Sequence, residues 1–96
     1  MSDDSTVPVE VKIIGHEAVR GRGTLVALAI VDVDIAGVVI RLQGVEIHQS
    51  RLGKLTIAAP QFRAANGKRH AAVLMPPDVM WTALELFVQQ CIKPAP

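Results

Sequence analysis

The chain has 96 residues, half of them hydrophobic, and a formal net charge of +1 at pH 7. That length predicts a single domain, and a charge so near zero argues against a strong nucleic-acid binder, whose domain is usually markedly basic. With Phe62, Trp81 and Phe87 as its aromatic residues, the chain also lacks the set of exposed rings that an RNA-recognition sheet needs. The single cysteine, Cys91, excludes an internal disulfide and suits a reducing compartment.

The start of the sequence is polar and acidic, and no apolar stretch is long enough to span a bilayer. We therefore expect no signal peptide and a cytoplasmic protein.

Charge is unevenly distributed along the chain. Residues 1–50 carry four basic and seven acidic side chains, whereas residues 51–96 carry six basic and two acidic ones. This asymmetry is compatible with a local basic surface in the second half.

The hydrophobic pattern predicts one strand after another from residue 9 onwards. Residues 9–13 alternate between apolar and charged side chains, which is the period of a half-buried strand. Residues 16–23 read as a loop that contains two glycines. Three further strands are predicted, over residues 24–35, 38–48 and 54–59.

Glycine and proline mark the ends and irregularities of these strands. Gly44 predicts a bulge or bend, and Pro60 ends the preceding strand because it has no N–H for the ladder. Asn66-Gly67 is a strong hairpin signal, since both residues tolerate a positive φ. The returning strand of this hairpin is predicted over residues 68–75.

A change to helical periodicity predicts one helix after the strands. Pro76 and Pro77 stand where a helix begins, and residues 78–92 carry one polar stripe beside a wide apolar arc. An arc this wide predicts contacts on two sides, with the core and with a second copy of the chain. The residues expected to form this core helix and homodimer seam are Met80, Trp81, Leu84, Phe87, Val88 and Cys91.

These elements define an α+β fold: an antiparallel β-meander of about five strands with a hairpin extension, followed by one C-terminal α-helix. We expect a single domain over residues 9–93. A disordered N-terminal tail is expected over residues 1–8, and a short C-terminal tail over residues 94–96.

Four stretches of the sequence match the motifs of a known family in the same order. Residues 9–13 (VEVKI) occupy the position at which the family has a strand of the EVTDVRLR type, and residues 27–32 (ALAIVD) match its ASITLD motif. Residues 38–47 correspond to a FVVHDIRVI strand. In residues 53–67 (GKLTIAAPQFRAANG), a proline, a basic residue and a glycine fall at the spacing of MPSKRTPDG. Over nearly its whole length the chain therefore resembles a divergent member of the SpoVG family (stage V sporulation protein G, or septation protein).

The resemblance implies a small bacterial regulatory protein that forms dimers, is linked to sporulation and septation, and binds DNA or RNA. The sequence departs from the family pattern at three places. In residues 71–76 (AAVLMP), the acid and the histidine of a DIAHP strand end are absent, although a proline remains. Phe62 stands where the family has the first of two basic residues after the proline. Residues 78–82 (DVMWT) replace the basic and polar residues that commonly begin the family's helix.

Basic side chains near the predicted turns are the candidate nucleic-acid-binding residues. They are Arg51, Lys54, Arg63, Lys68, Arg69 and His70, together with Arg20 and Arg22 in a glycine-containing segment. Two neighbouring basic turns, doubled in a dimer, would contact phosphates. The alternative interpretation is that these side chains are simply solvated, and that Lys and Arg at a sheet edge deter aggregation.

Two functions follow from this sequence. The first is a non-enzymatic, SpoVG-like dimeric regulator that binds DNA or RNA through basic hairpin turns. The second is a protein-interaction or scaffolding module that uses a strand edge or the helix face without binding nucleic acid directly. We expect no catalysis, cofactor or small-molecule substrate, because no catalytic motif is present, and no metal, because His16, His48, His70 and Cys91 lack metal-ligand spacing.

Overall fold

The computed structural model describes the backbone of residues 7–92 and the side chains of residues 7–90. The strands are β1 (Val9–Arg22), β2 (Leu25–Ile35), β3 (Val38–Gln49), β4 (Leu55–Ala58), β5 (Gln61–Arg63) and β6 (Arg69–Ala71). Helix α1 (Pro77–Phe87) follows and continues into a π-helical turn, Val88–Ile92. Strands β1 to β4 form an antiparallel sheet in chain order, and β5 pairs with β6 alone. The predicted α+β meander with a C-terminal helix is confirmed, with the hairpin extension as a separate small sheet. The predicted tails fall almost entirely outside the described residues.

The loop predicted over residues 16–23 is wrong, because β1 continues to Arg22. The cause is a bulge between Ile13 and Gly15, where Ile13 pairs with Val31 but Gly15 already pairs with Ile30. A bulge adds one residue to one strand and exchanges the faces on which later side chains lie. The alternation of apolar and polar residues is therefore interrupted inside a continuous strand, and the interruption resembles a loop in the sequence.

The bulge or bend predicted at Gly44 is confirmed as a bulge. Gly44 has a φ of +82°, and the β2–β3 register shifts between Ala29 and Ile30 at this point. The β1 bulge faces the same part of β2 from the other side. These two bulges, at one level of the sheet, bend β1 and β3 locally.

One face of the sheet forms the core beneath the helix. The alternating residues Ala27, Ala29, Val31 and Val33 of β2 are buried. They form one cluster with Val45 and Ile47 of β3 and with Ala83 and Phe87 of α1. β-branched side chains at a period of two suit this pleated, buried surface. The helix lies against β1 and β4, and the His16 ring meets the Phe87 ring edge-on at 5.5 Å.

The hairpin predicted at Asn66-Gly67 is confirmed, but its turn differs from the expected one. Among the two central residues Gly67 alone has a positive φ, and hydrogen bonds join Gly67 N to Ala64 O and Ala64 N to Lys68 O. This is the pattern of a type I turn closed by a glycine bulge. The Asn66 side chain accepts a hydrogen bond from Lys68 N at 2.9 Å, which stabilises the turn locally.

The returning strand predicted over residues 68–75 is wrong, because β6 ends at Ala71. Ala72 N donates to Pro60 O and closes the base of the hairpin. Pro60 has no N–H to extend the ladder, so the residues beyond Ala71 find no partner in β5. The chain then bends, which leaves Leu74 93% exposed and buries Met75 in the core.

The helix begins at Pro77, one residue before the predicted start, with Pro76 as its N-cap. Of the residues expected on the core and dimer face, Phe87 is buried, and Met80 and Leu84 pack against the core. Trp81 is 64% exposed and Val88 39% exposed, so they lie on a second, open side of the helix. The side chain of Cys91 lies outside the described ones. No helix in residues 7–92 has the length and hydropathy to cross a membrane.

Candidate functional site

The topology places two of the basic turns at the same end of the four-stranded sheet. In an antiparallel meander, the β1–β2 and β3–β4 connections emerge at one end and the β2–β3 connection at the other. Arg20 and Arg22 lie at the end of β1, and Arg51 and Lys54 flank the β3–β4 turn. Gln49 N donates to Thr24 O at 2.8 Å and ties the two turns together.

The β5–β6 hairpin brings more basic residues to this end. Pro60, at the base of the hairpin, lies near Gly44 in the middle of the sheet. Arg63 and Arg69 pair next to the turn of the hairpin, and they line a cleft together with Arg22. We call this end of the sheet the basic end. Its basic residues are Arg20, Arg22, Arg51, Lys54, Arg63, Lys68 and Arg69.

The cleft at the basic end has a volume of about 630 Å³. It is lined by Arg22, Gly23, Thr24, Leu25, His48, Arg63 and Arg69, and we call it the arginine cleft. Three of the eight candidate residues thus meet in one place. The other five lie outside its lining: Arg20, Arg51, Lys54, Lys68 and His70. His70 instead lies beside Phe62, with ring centroids 5.6 Å apart.

A buried carboxylate holds the hairpin against the sheet. Glu46 of β3 is 6% exposed, and its Oε2 accepts a hydrogen bond from Arg69 Nη2 at 2.5 Å. Its Oε1 accepts from His48 Nε2 at 2.9 Å. A buried charge needs such partners, because burying it unpaired costs several kcal/mol. Glu46 therefore orients one arginine of the cleft and one histidine.

The hydrogen bonds also assign the tautomer of His48. An ionised carboxylate can only accept, so Nε2 carries the hydrogen that points at Glu46. Nδ1 of the neutral ring is then an acceptor, and its partner at 2.8 Å is Thr24 Oγ1. A chain of polar groups therefore runs from Arg69 through Glu46 and His48 to the Thr24 hydroxyl in the wall of the cleft.

The net positive charge of the cleft comes from two of its arginines. Arg69 is neutralised by Glu46, whereas no salt bridge within residues 7–92 involves Arg22 or Arg63. Arg63 Nη1 donates to Gly67 O at 2.9 Å, which uses one of the five N–H groups of the guanidinium. The remaining donors of Arg22 and Arg63 are available to an anion.

Acidic residues lie at the opposite end of the sheet. Glu10 pairs with Asp34 in the β1–β2 ladder beside the β2–β3 turn. Asp32 accepts two hydrogen bonds from Arg41, at 2.8 and 2.9 Å. These bonds lower the pKa of Asp32 more than partial desolvation raises it, and they raise the pKa of Arg41 in turn. The arginine at this end is thus bound to a carboxylate.

Thr24, Glu46 and His48 were not among the residues predicted from the sequence. Glu46 and His48 are two residues apart in a predicted strand, so the sequence already indicated that their side chains lie on the same face of the sheet. Thr24 is different, because it meets His48 only through the β2–β3 register, in which Leu25 pairs with His48. Among the described residues, no three metal-ligating side chains come together.

No protein-family model, no curated protein and no solved structure matches the chain. The resemblance to the SpoVG family therefore rests on the four sequence motifs themselves.

Proposed function

We propose that this protein is a non-enzymatic regulatory protein that binds DNA or RNA through phosphate contacts at its basic end. One observation carries the proposal: three separate turns place seven basic residues at one end of the sheet, where Arg22 and Arg63 have no acidic partner among residues 7–92. The net charge of +1 does not reveal this segregation, because Glu10, Asp32 and Asp34 lie towards the opposite end of the sheet. The acid at the basic end, Glu46, is buried and paired with Arg69. Local positive fields of this kind attract and orient polyanions.

The contacts available at the basic end suit the backbone of a nucleic acid more than its base edges. Guanidinium groups bind phosphate oxygens in a bidentate manner and supply affinity that depends on salt but carries no sequence information. Phe62, which replaces a basic residue of the SpoVG motif, is 51% exposed on the same hairpin. Its ring offers one flat surface on which an unpaired base can stack.

The resemblance to the SpoVG family supports the same function and adds a homodimer in the cytoplasm. Trp81 and Val88, on the open side of the helix, are the residues through which we propose that two copies meet. A dimer would present two basic ends to one nucleic acid and increase its affinity without new kinds of contact.

The experiment compares nucleic-acid binding by the wild type and by the triple variant Arg22→Gln, Arg63→Gln, Lys68→Gln. Arg69 is left intact, because its removal would leave Glu46 with only His48 as a partner. We expect the triple variant to lose most of its affinity for mixed DNA and RNA at low salt. The slope of log affinity against log salt should become shallower by about one for each lost phosphate contact.

A matched control separates this effect from a general loss of charge. Lys12→Gln removes one positive charge at the acidic end, where Lys12 pairs with Asp32 across the ladder, and Lys68→Gln removes one at the basic end. The first should bind as the wild type does and the second more weakly. A wild-type protein that binds neither DNA nor RNA at low salt would refute the proposal.

A protein-interaction module is the second candidate, and a groove at the acidic end favours it. The groove has a volume of about 200 Å³ and apolar walls, including Ile40, Leu42 and Val79. Leu74, which is 93% exposed, is part of its lining, and Val38 and Val39, which precede Ile40 in β3, are also exposed. Co-purification of a stoichiometric protein partner that resists nuclease and salt would favour this second function over the first.

A further inference from the structure

We propose that the arginine cleft binds a phosphodiester group and takes up a proton at His48 as it does so. This inference deepens the proposed function and rests on it for the identity of the ligand. The hydrogen-bond chain from Glu46 through His48 to Thr24 is what carries it.

In the neutral state of His48, the Thr24 hydroxyl is unable to help an anion. Nδ1 of the ring is an acceptor, so the Thr24 hydrogen points at Nδ1 across the 2.8 Å contact. The oxygen of Thr24 then presents only its lone pairs to the cleft. Lone pairs repel a phosphate oxygen, so this part of the wall opposes the attraction from Arg22 and Arg63.

Protonation of His48 reverses the direction of that hydrogen bond. Both ring nitrogens of an imidazolium are donors, so Nδ1–H would donate to Thr24 Oγ1 while Nε2–H remains on Glu46. The Thr24 hydroxyl is then free to turn its hydrogen into the cleft and donate to an anionic oxygen. One proton therefore adds a positive charge and a hydrogen-bond donor together.

The charged groups around His48 determine whether anion binding favours or opposes the protonation of its ring. Arg22 at the end of β1, Arg63 of β5 and Arg69 of β6 line the cleft with it. Glu46, on its own strand, is the acidic group in contact with it. Its cross-strand neighbours are uncharged, Leu25 in β2 and Thr56 in β4. A bound phosphodiester brings a negative charge to the Thr24 side of the ring, so its binding favours the imidazolium over the neutral imidazole.

The chemistry of the cleft selects a phosphodiester oxygen as the ligand atom. Every charged group that faces it is a donor, since both oxygens of Glu46 are already engaged by Arg69 and His48. Its volume of about 630 Å³ lies within the range of small-ligand sites and leaves room for a nucleotide unit. Proton uptake then requires that phosphodiester affinity fall as pH rises through the titration range of histidine, roughly pH 5 to 8.

The test uses a short oligothymidylate with hydroxyl ends, because neither its phosphodiesters nor its bases titrate in this range. We expect the wild type to bind it at least about tenfold more tightly at the acidic end of this pH range than at the alkaline end. This factor corresponds to the gain of one hydrogen bond to a charged group. Calorimetry in buffers of different ionisation enthalpy should show proton uptake on binding.

Two variants locate the effect at the proposed atoms. His48→Gln keeps a donor for Glu46 but does not titrate, so its affinity should be independent of pH. Thr24→Val removes the hydroxyl alone, and it should lower affinity chiefly at acidic pH. Thr56→Val and His70→Gln are the matched controls, and both should keep the pH dependence of the wild type. Circular dichroism verifies that each variant is folded.

Sulfate, which stays a dianion across this range, is a second probe. If the wild type binds oligothymidylate with no pH dependence, or if the dependence survives in His48→Gln, the inference fails while the proposed function stands. If oligothymidylate does not bind but sulfate binds with His48-dependent proton uptake, nucleic-acid binding fails and the proton-linked oxyanion site stands. If neither ligand binds, both proposals fail.

Discussion

Ala36 shows how a single residue can carry strain that its neighbours impose. Among the described residues it is the one non-glycine with a positive φ, +53°. It shares a two-residue turn with Gly37, and the flanking Ile35 and Val38 pair across the ladder. Two positive φ values in such a turn are the pattern of type I′, which favours Asn at the first position.

Ala36→Asn should therefore stabilise the protein. Asparagine tolerates the left-handed conformation better than alanine does, and we expect a gain of about 0.5–1 kcal/mol in the free energy of unfolding. Urea denaturation followed by far-UV circular dichroism measures it. Ala36→Val is the opposite control and should destabilise, because a β-branched residue resists positive φ. A stability of the asparagine variant below that of the wild type would contradict this reading of the turn.

At the scale of elements, the β5–β6 hairpin depends on its anchor. A two-stranded hairpin is marginal by itself in water, and neither β5 nor β6 pairs with the four-stranded sheet. Among the described residues, its contacts with the sheet include the salt bridge from Arg69 to Glu46 and the approach of Pro60 to Gly44. The geometry of the arginine cleft consequently depends on one buried carboxylate.

Glu46→Ala should release this hairpin while the main sheet persists. Loss of a buried, charged hydrogen-bond acceptor costs about 1–3 kcal/mol, and the unanchored hairpin should open. Hydrogen exchange measures this directly: the amides of Ala64 and Ala72, which are bonded within the hairpin, should lose protection, whereas the β2 and β3 amides keep theirs. Glu17→Ala, an exposed acid in β1, is the control. Unchanged protection of Ala64 in the Glu46 variant would show that the hairpin is held by other contacts.

At the scale of the whole molecule, the described part of the chain is flat, and its flatness leaves one side of the helix uncovered. The principal extents are 51 × 47 × 22 Å and the radius of gyration is 15.0 Å, against about 12.5 Å for a compact domain of this length. A single bent sheet with one helix cannot cover both sides of that helix. Trp81 and Val88 remain open to solvent for this reason.

Trp81→Lys should therefore weaken the proposed homodimer without unfolding the domain, because Trp81 contributes little to the core. Sedimentation equilibrium should show a dimer for the wild type and a monomer for the variant at the same concentration. Thr82→Lys places the same charge on the neighbouring exposed position and should leave the dimer intact. A wild type that is monomeric at micromolar concentration would contradict the proposed dimer.

Much of the fold follows from local chemistry that is visible in the sequence. The alternation of β2 from Leu25 to Ile35, the prolines at the start of α1 and the glycine of the β5–β6 turn each act over a few residues. Predictions that assumed an uninterrupted alternation of apolar and polar residues failed. In β1, for example, a bulge after Ile13 exchanges the faces of the sheet on which the later side chains lie. Part of the site was predictable in the same way: the residue types at Arg63 and Arg69 indicated an anion-binding hairpin.

The sequence by itself determined most of the strands and the position of the helix, because backbone preference and hydrophobic period are local properties. It also determined that basic residues cluster at turns. Only the tertiary structure decided which turns share an end of the sheet and how the hairpin lies against it. It alone brought Arg22 to Arg63 and Thr24 to His48, in chain segments about 25 to 40 residues apart. The first contact depends on how the β5–β6 hairpin docks on the sheet through Arg69 and Glu46. The second depends on the β2–β3 register, which arises from pairing between strands and from no single strand.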